Sequence, residues 1–127
     1  MSLEFPAEPR KIGDFYVDAW DGRMVEYHSF REDFNPIDLG EAIKDGLQNC
    51  GISFIDTSEA NSYMAAGYCF EDSDIGFRVS IRRYVDTRIS VYALEKKTAD
   101  WRIKFKERLA DLEKILESVS TPAQIII

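Results

Sequence analysis

From Tyr63 to Leu94 apolar residues alternate with polar or small ones: Met64, Ala66, Tyr68 and Phe70, then Ile75, Phe77, Val79 and Ile81, then Ile89, Val91 and Ala93. A period of two belongs to strands with one buried face. The polar breaks at 71–74 and 84–86 divide the stretch into three antiparallel strands forming a meander. Pairing Phe70 with Ile75 and Ile81 with Ile89 keeps every apolar residue on one side. The other side then gathers Tyr63, Ala65, Gly67 and Cys69, then Gly76, Arg78, Ser80 and Arg82, then Arg88, Ser90 and Tyr92.

Two segments switch to a helical period. Leu39, Ile43 and Leu47 recur every four residues after Asn35-Pro36, a capping residue followed by a proline at the first helical position, and Gly51 is a natural left-handed stop. This predicts a helix over 36–50. Gly40 and Gly46 each cost about 1 kcal/mol of helix propensity relative to alanine, which points to close packing against another element. Trp101, Phe105, Leu109, Leu112, Leu116 and Val119 share one face of a second helix over 98–119, ended by Thr121-Pro122. Ile52 to Ile55 reads as a brief buried strand between the first helix and the meander.

Near the start, Asp14–Trp20 and Arg23–Phe30 are rich in aromatics and valine and flank Asp21-Gly22, a dipeptide suited to a tight type I′ turn. The hairpin this predicts sets Trp20 opposite Arg23, Asp18 opposite Val25 and Tyr16 opposite Tyr27. Phe15, Val17, Ala19 and Met24 then share the other side, the better core candidate.

The fold class these elements predict is α+β: a two-layer sandwich in which an antiparallel sheet, hairpin plus three-stranded meander, carries two helices on one face. Residues 12–120 form one domain, preceded by a flexible arm over 1–11 with Pro6 and Pro9 and followed by a tail over 121–127. The tail ends in Ile125-Ile126-Ile127, which should dock on this molecule or on a second copy, so a homodimer stays open.

Composition narrows the function. At 127 residues, 45% of them hydrophobic, the chain can build a core without disulfides or metal. No apolar run is long enough for a membrane span and the N-terminus lacks a basic-then-apolar leader, so a cytoplasmic protein with no membrane partner is expected. Cys50 and Cys69 fall in no zinc-type spacing and read as two buried thiols. A net charge of −7 argues against nucleic acid, whose affinity depends on displacing counterions with lysine and arginine. The charge is uneven: residues 1–77 carry 16 acids and 5 bases, net −11, and residues 78–127 carry 7 acids and 11 bases, net +4.

No nucleophile elbow, P-loop, dinucleotide fingerprint or zinc-protease motif is present, so no catalytic residues, metal or cofactor are assigned, and the reading leans away from an enzyme. His28, the single histidine, lies near Glu26 but is better read as structural. Glu71, Asp72 and Asp74 have the carboxylates for a hard cation but read better as a solvated turn. The sharpest candidate is the polar side of the meander. There Arg78, Arg82 and Arg88, with Tyr92, surround a floor of Ala65, Gly67, Ser80 and Ser90, and guanidinium forks over small residues suit a carboxylate or phosphate. Two functions are therefore expected. The first is a non-catalytic protein-binding domain of adaptor, chaperone, immunity or regulatory type, its acidic first half taking a basic partner on Tyr16, Trp20 and Tyr27. The alternative is a domain, ligand-binding or enzymatic, that takes a small anion on the arginine-lined face.

Overall fold

The computed structural model describes residues 10–20, 22–31, 34–57 and 64–120. In chain order the elements are β1 (Lys11–Ile12), β2 (Phe15–Trp20), β3 (Met24–Ser29), α1 (Pro36–Asn49), β4 (Ser53–Thr57), β5 (Ala65–Glu71), β6 (Ile75–Arg83), β7 (Thr87–Lys96) and α2 (Trp101–Val119). The strands form one antiparallel seven-stranded sheet in the order β1-β2-β3-β7-β6-β5-β4. It is built from two up-and-down runs. The N-terminal run joins the second by pairing β3 with β7, and α1 carries the chain from β3 to the far edge at β4.

Both helices lie on one face, as the two-layer pattern predicts. Phe15, Val17, Val25, Tyr27, Ala66, Tyr68, Phe70, Ile75, Phe77, Val79, Ile81, Ile89 and Val91 from the sheet pack against Leu39, Ile43 and Leu47 of α1 and Phe105, Leu109, Leu112 and Leu116 of α2 in one core. The apolar alternation is thus the buried face, and the polar side of the sheet is left uncovered by either helix.

The helix ends follow their local chemistry. The Asn35 side-chain oxygen accepts from the backbone N–H of Ile37 at 2.8 Å and of Asp38 at 3.2 Å. Gly51 closes α1 with φ +88°, a backbone that a side chain would strain. The cap gives a direct expectation: Asn35→Ala should lower unfolding free energy by about 1 kcal/mol, read as a shifted urea midpoint at unchanged m. The two helix glycines mark close approaches. A Cβ on Gly40 would meet the Tyr68 ring at 2.1 Å, and one on Gly46 would meet Ile115 of α2 at 2.4 Å.

In the meander, Ile81 pairs with Ile89 as the pattern predicts, but Phe70 pairs with Phe77 and not with Ile75. The register slips by two, with Glu71 pairing with Gly76, because Asp72 builds the turn. Its backbone N–H donates to Ile75 O, and its side chain accepts from the N–H groups of Asp74 and Ile75. A slip of two leaves the faces unchanged.

The N-terminal hairpin is where the expectation fails. Trp20 pairs with Val25, not with Arg23, and Tyr16 pairs with His28, not with Tyr27. The connection is longer than a two-residue turn, and an irregularity between Val17 and Ala19 resets the register. Val25 and Tyr27 therefore face the core. Two further corrections follow from the edges: Ile55 is exposed, beside the bulge where β4 slips against β5, and Cys50 is an exposed free thiol at the end of α1. The residue of the 52–55 segment that lies fully in the core is Ile52, just ahead of β4. Of the arm expected over 1–11, residues 1–9 lie outside the described residues, as does the apolar tail, while Arg10 and Lys11 are held against β2.

Candidate functional site

On the uncovered face the strand register stacks residues into three rows that cross β3, β7, β6 and β5. The first is His28, Arg88, Arg82 and Ala65. The second is Glu26, Ser90, Ser80 and Gly67, and the third is Met24, Tyr92, Arg78 and Cys69. Successive rows lie two residues apart along each strand, roughly 6.6 Å. The middle row is low where it reaches β7, β6 and β5, because serine and glycine project little. Arg78 and Arg82 flank it on β6 with Cα atoms about 13 Å apart, and a guanidinium reaches about half that distance, so both forks can converge above Ser80.

The register thus places Arg78, Arg82, Ser80 and Tyr92 together, and they line one open depression of about 570 Å³. The depression extends past Tyr92 to Met24, Ala93, Leu94 and Lys96 and is bordered by Arg23 of the hairpin. The described residues that line it carry four basic side chains and no carboxylate. Ser80 is buried beneath, while Tyr92 and Leu94 stay exposed. Arg82, also exposed, has no ion pair among the described residues.

Arg88 belongs to a different group. Its guanidinium nitrogens lie 3.9 Å from Glu26 and 3.6 Å from Asp86, and it is not among the described residues lining the depression. Asp86 also faces His28 Nε2 at 2.5 Å, Ser90 donates to Glu26 at 3.2 Å, and the Phe30 ring sits edge-on to His28 with centroids 4.5 Å apart. This cluster ties the 84–86 turn to β3. The Nε2 approach to Asp86 lacks hydrogen-bond geometry, and the His28 ring packs against Phe30 away from the residues that line the depression.

The aromatic partner candidates separate as well. Tyr27 is fully buried, and its hydroxyl donates to Glu113 of α2 at 2.6 Å, where Arg10 also pairs. It is therefore no surface anchor. Burial and the neighbouring carboxylate raise its phenol above the ordinary tyrosine value, and the Glu113 hydrogen bond raises the Arg10 guanidinium. Tyr16 is partly exposed on the uncovered face, edge-on to the exposed Phe30 and capped by the Lys11 ammonium. The Trp20 side chain lies outside what is described.

The acids of the β5–β6 turn are each engaged within the chain. Glu71 accepts from Lys97 at 2.6 Å, Asp74 from Thr98 at 2.9 Å, and Asp72 holds the turn with Arg108 nearby at 3.5 Å.

Sequence reasoning missed Arg23, Met24, Leu94 and Lys96 as part of the site. Met24 reaches it through the β3–β7 pairing. Leu94 reaches it at an irregularity where Phe77 pairs with Ala93 and Gly76 with Glu95. An exposed leucine after a buried-face alanine was the available signal for the second. No protein-family model matches the chain, and no curated protein matches it either.

Proposed function

We propose that this chain is a non-catalytic binding domain whose ligand is an anion held on the uncovered sheet face between Arg78 and Arg82. One observation carries the reading: in a chain of net charge −7, basic residues converge on a single depression floored by Ser80. Ion pairs to carboxylates or phosphates are strongest where planar guanidinium forks can bind both oxygens, and the short Ser80 side chain between them leaves room for that approach. The net negative charge does not prevent it. At physiological salt, fields are screened over about 8 Å, so an anion resting on the arginines responds chiefly to them.

The acidic first half is the weaker candidate for a partner surface, because Tyr27 is interior and the half-exposed Tyr16 already packs edge-on to Phe30 and under the Lys11 ammonium. Among the described residues of the middle row, the one acid, Glu26, is engaged with Ser90 and Arg88.

Titrating isotope-labelled protein with inorganic phosphate and with citrate tests the reading. Amide shifts should cluster at Gly67, Arg78, Ser80, Arg82 and Tyr92, and Arg78→Ala with Arg82→Ala should weaken binding at least about tenfold, the equivalent of one lost charged contact. Shifts that scatter over the surface, or that persist undiminished in the double variant, would refute it.

A further inference from the structure

The anion site is one end of a longer surface, whose other end adds the apolar side chains of Met24 and Leu94 to the basic Arg23 and Lys96. Met24 faces Tyr92 across β3 and β7, and Leu94 lies two residues beyond Tyr92 on the same strand. From Arg88, the β7 partner of Arg82, to Leu94 is six residues, roughly 20 Å of strand. Along that length the lining changes from Arg82 and Ser80, through the row of Arg78, Tyr92 and Met24, to Leu94 and Lys96, with Arg23 at the border. A single small anion occupies only the first third.

Resting on the anion reading above, we propose that the natural occupant is an extended acidic peptide segment of a partner protein. It lies along β6 and β7 with its carboxylates at Arg82 and Arg78 and an apolar side chain against Met24, Tyr92 and Leu94. An extended chain advances about 3.3 Å per residue, so six or seven residues cover the surface. Carboxylates two to four residues apart fall within reach of the two guanidinium groups. Charge complementarity selects an acidic chain, and the exposed Tyr92 and Leu94 beside the half-buried Met24 select one with an apolar residue on one flank. Tyr92 and Arg78 are cross-strand neighbours, which places an amphipathic ring beside a cation at the centre of the surface, the composition common at binding hot spots.

The test uses the whole chain and fluorescent synthetic heptapeptides in anisotropy titrations: Glu-Ser-Glu-Ser-Glu-Ser-Phe, the same peptide with glutamine for glutamate, and the same with serine for phenylalanine. The acidic phenylalanine peptide should bind at least tenfold more tightly than either control. Arg82→Glu, at an exposed position, should cost at least tenfold. Leu94→Ser should bring the phenylalanine peptide down to the serine one. Phosphate and citrate binding at Ser80 with no added affinity for the peptide would overturn the peptide inference and leave the anion reading standing. Binding of neither would overturn both, and equal binding of the glutamine and glutamate peptides would overturn the charge basis of the proposal.

Discussion

Raised through alkaline pH, the folded chain should lose stability steeply from about pH 10, at up to about 3 kcal/mol per pH unit. Two buried phenols set this expectation. Tyr27 is desolvated in the core with its hydroxyl on Glu113, and Tyr68 is desolvated beneath α1 with its hydroxyl on Glu41, which raises its pKa to about 12. In the unfolded chain both titrate near 10. The folded state therefore holds these protons more tightly than the unfolded state does. The stability they protect is whole below pH 10 and is lost as pH rises above it, each phenol contributing a slope of about 1.4 kcal/mol per unit. The Tyr68 contribution levels off near pH 12, and that of Tyr27 continues beyond it. Together they remove about 5 kcal/mol between pH 10 and pH 12, a third or more of the roughly 5–15 kcal/mol a domain of this size has in all. Urea denaturation at pH 8, 10 and 11 measures the slope, and Tyr27→Phe should remove about half of it. A Tyr27→Phe chain with the same slope as the parent would show that this hydroxyl is not buried as described.

The second large effect distinguishes two glycines on one helix. Gly40→Ala should destabilise by about 1–3 kcal/mol, although alanine is the better helix former by about 1 kcal/mol. The new methyl would lie 2.1 Å from Cε1 and 2.6 Å from Cζ of Tyr68. That ring is fully buried, packs near Phe54, and sits on the central part of β5, so it cannot turn aside. Gly46→Ala should fall within about 0.5 kcal/mol of the parent. There the methyl meets the flexible end of the half-buried Ile115 side chain, which can change rotamer while the helix gains propensity. Thermal melts of the two variants side by side decide it, and equal losses would mean that α1 sits further from β5 than the structure places it.

The meander and both helices were legible because their signals are redundant. Three strands repeat the same alternation, so an error of two residues at Phe70 left Arg78 and Ile89 on opposite faces. The N-terminal hairpin offered one signal, Asp21-Gly22, and the irregularity between Val17 and Ala19 broke the parity it implied, which moved Tyr27 from surface anchor to core. The candidate site divides on the same ground. Arg78, Arg82 and Tyr92 come from the two strands whose register could be read, so their convergence was foreseeable. The withdrawal of Arg88 was not, because Glu26 reaches it only through the pairing of β3 with β7, a contact between segments some sixty residues apart with no local trace in the sequence. Met24 entered the site by that same pairing.

That long-range pairing also governs how the chain is made. Emerging from a ribosome at about 5–20 residues per second, the hairpin Phe15–Ser29 would wait seconds for β7, the strand it docks on. The side of the hairpin bearing Phe15, Val25 and Tyr27 stays without its cover until α2 follows. Nascent chains halted before residue 87 should therefore be the form most dependent on chaperones, and the amino-terminal third should acquire protease resistance last, together with the carboxy-terminal helix.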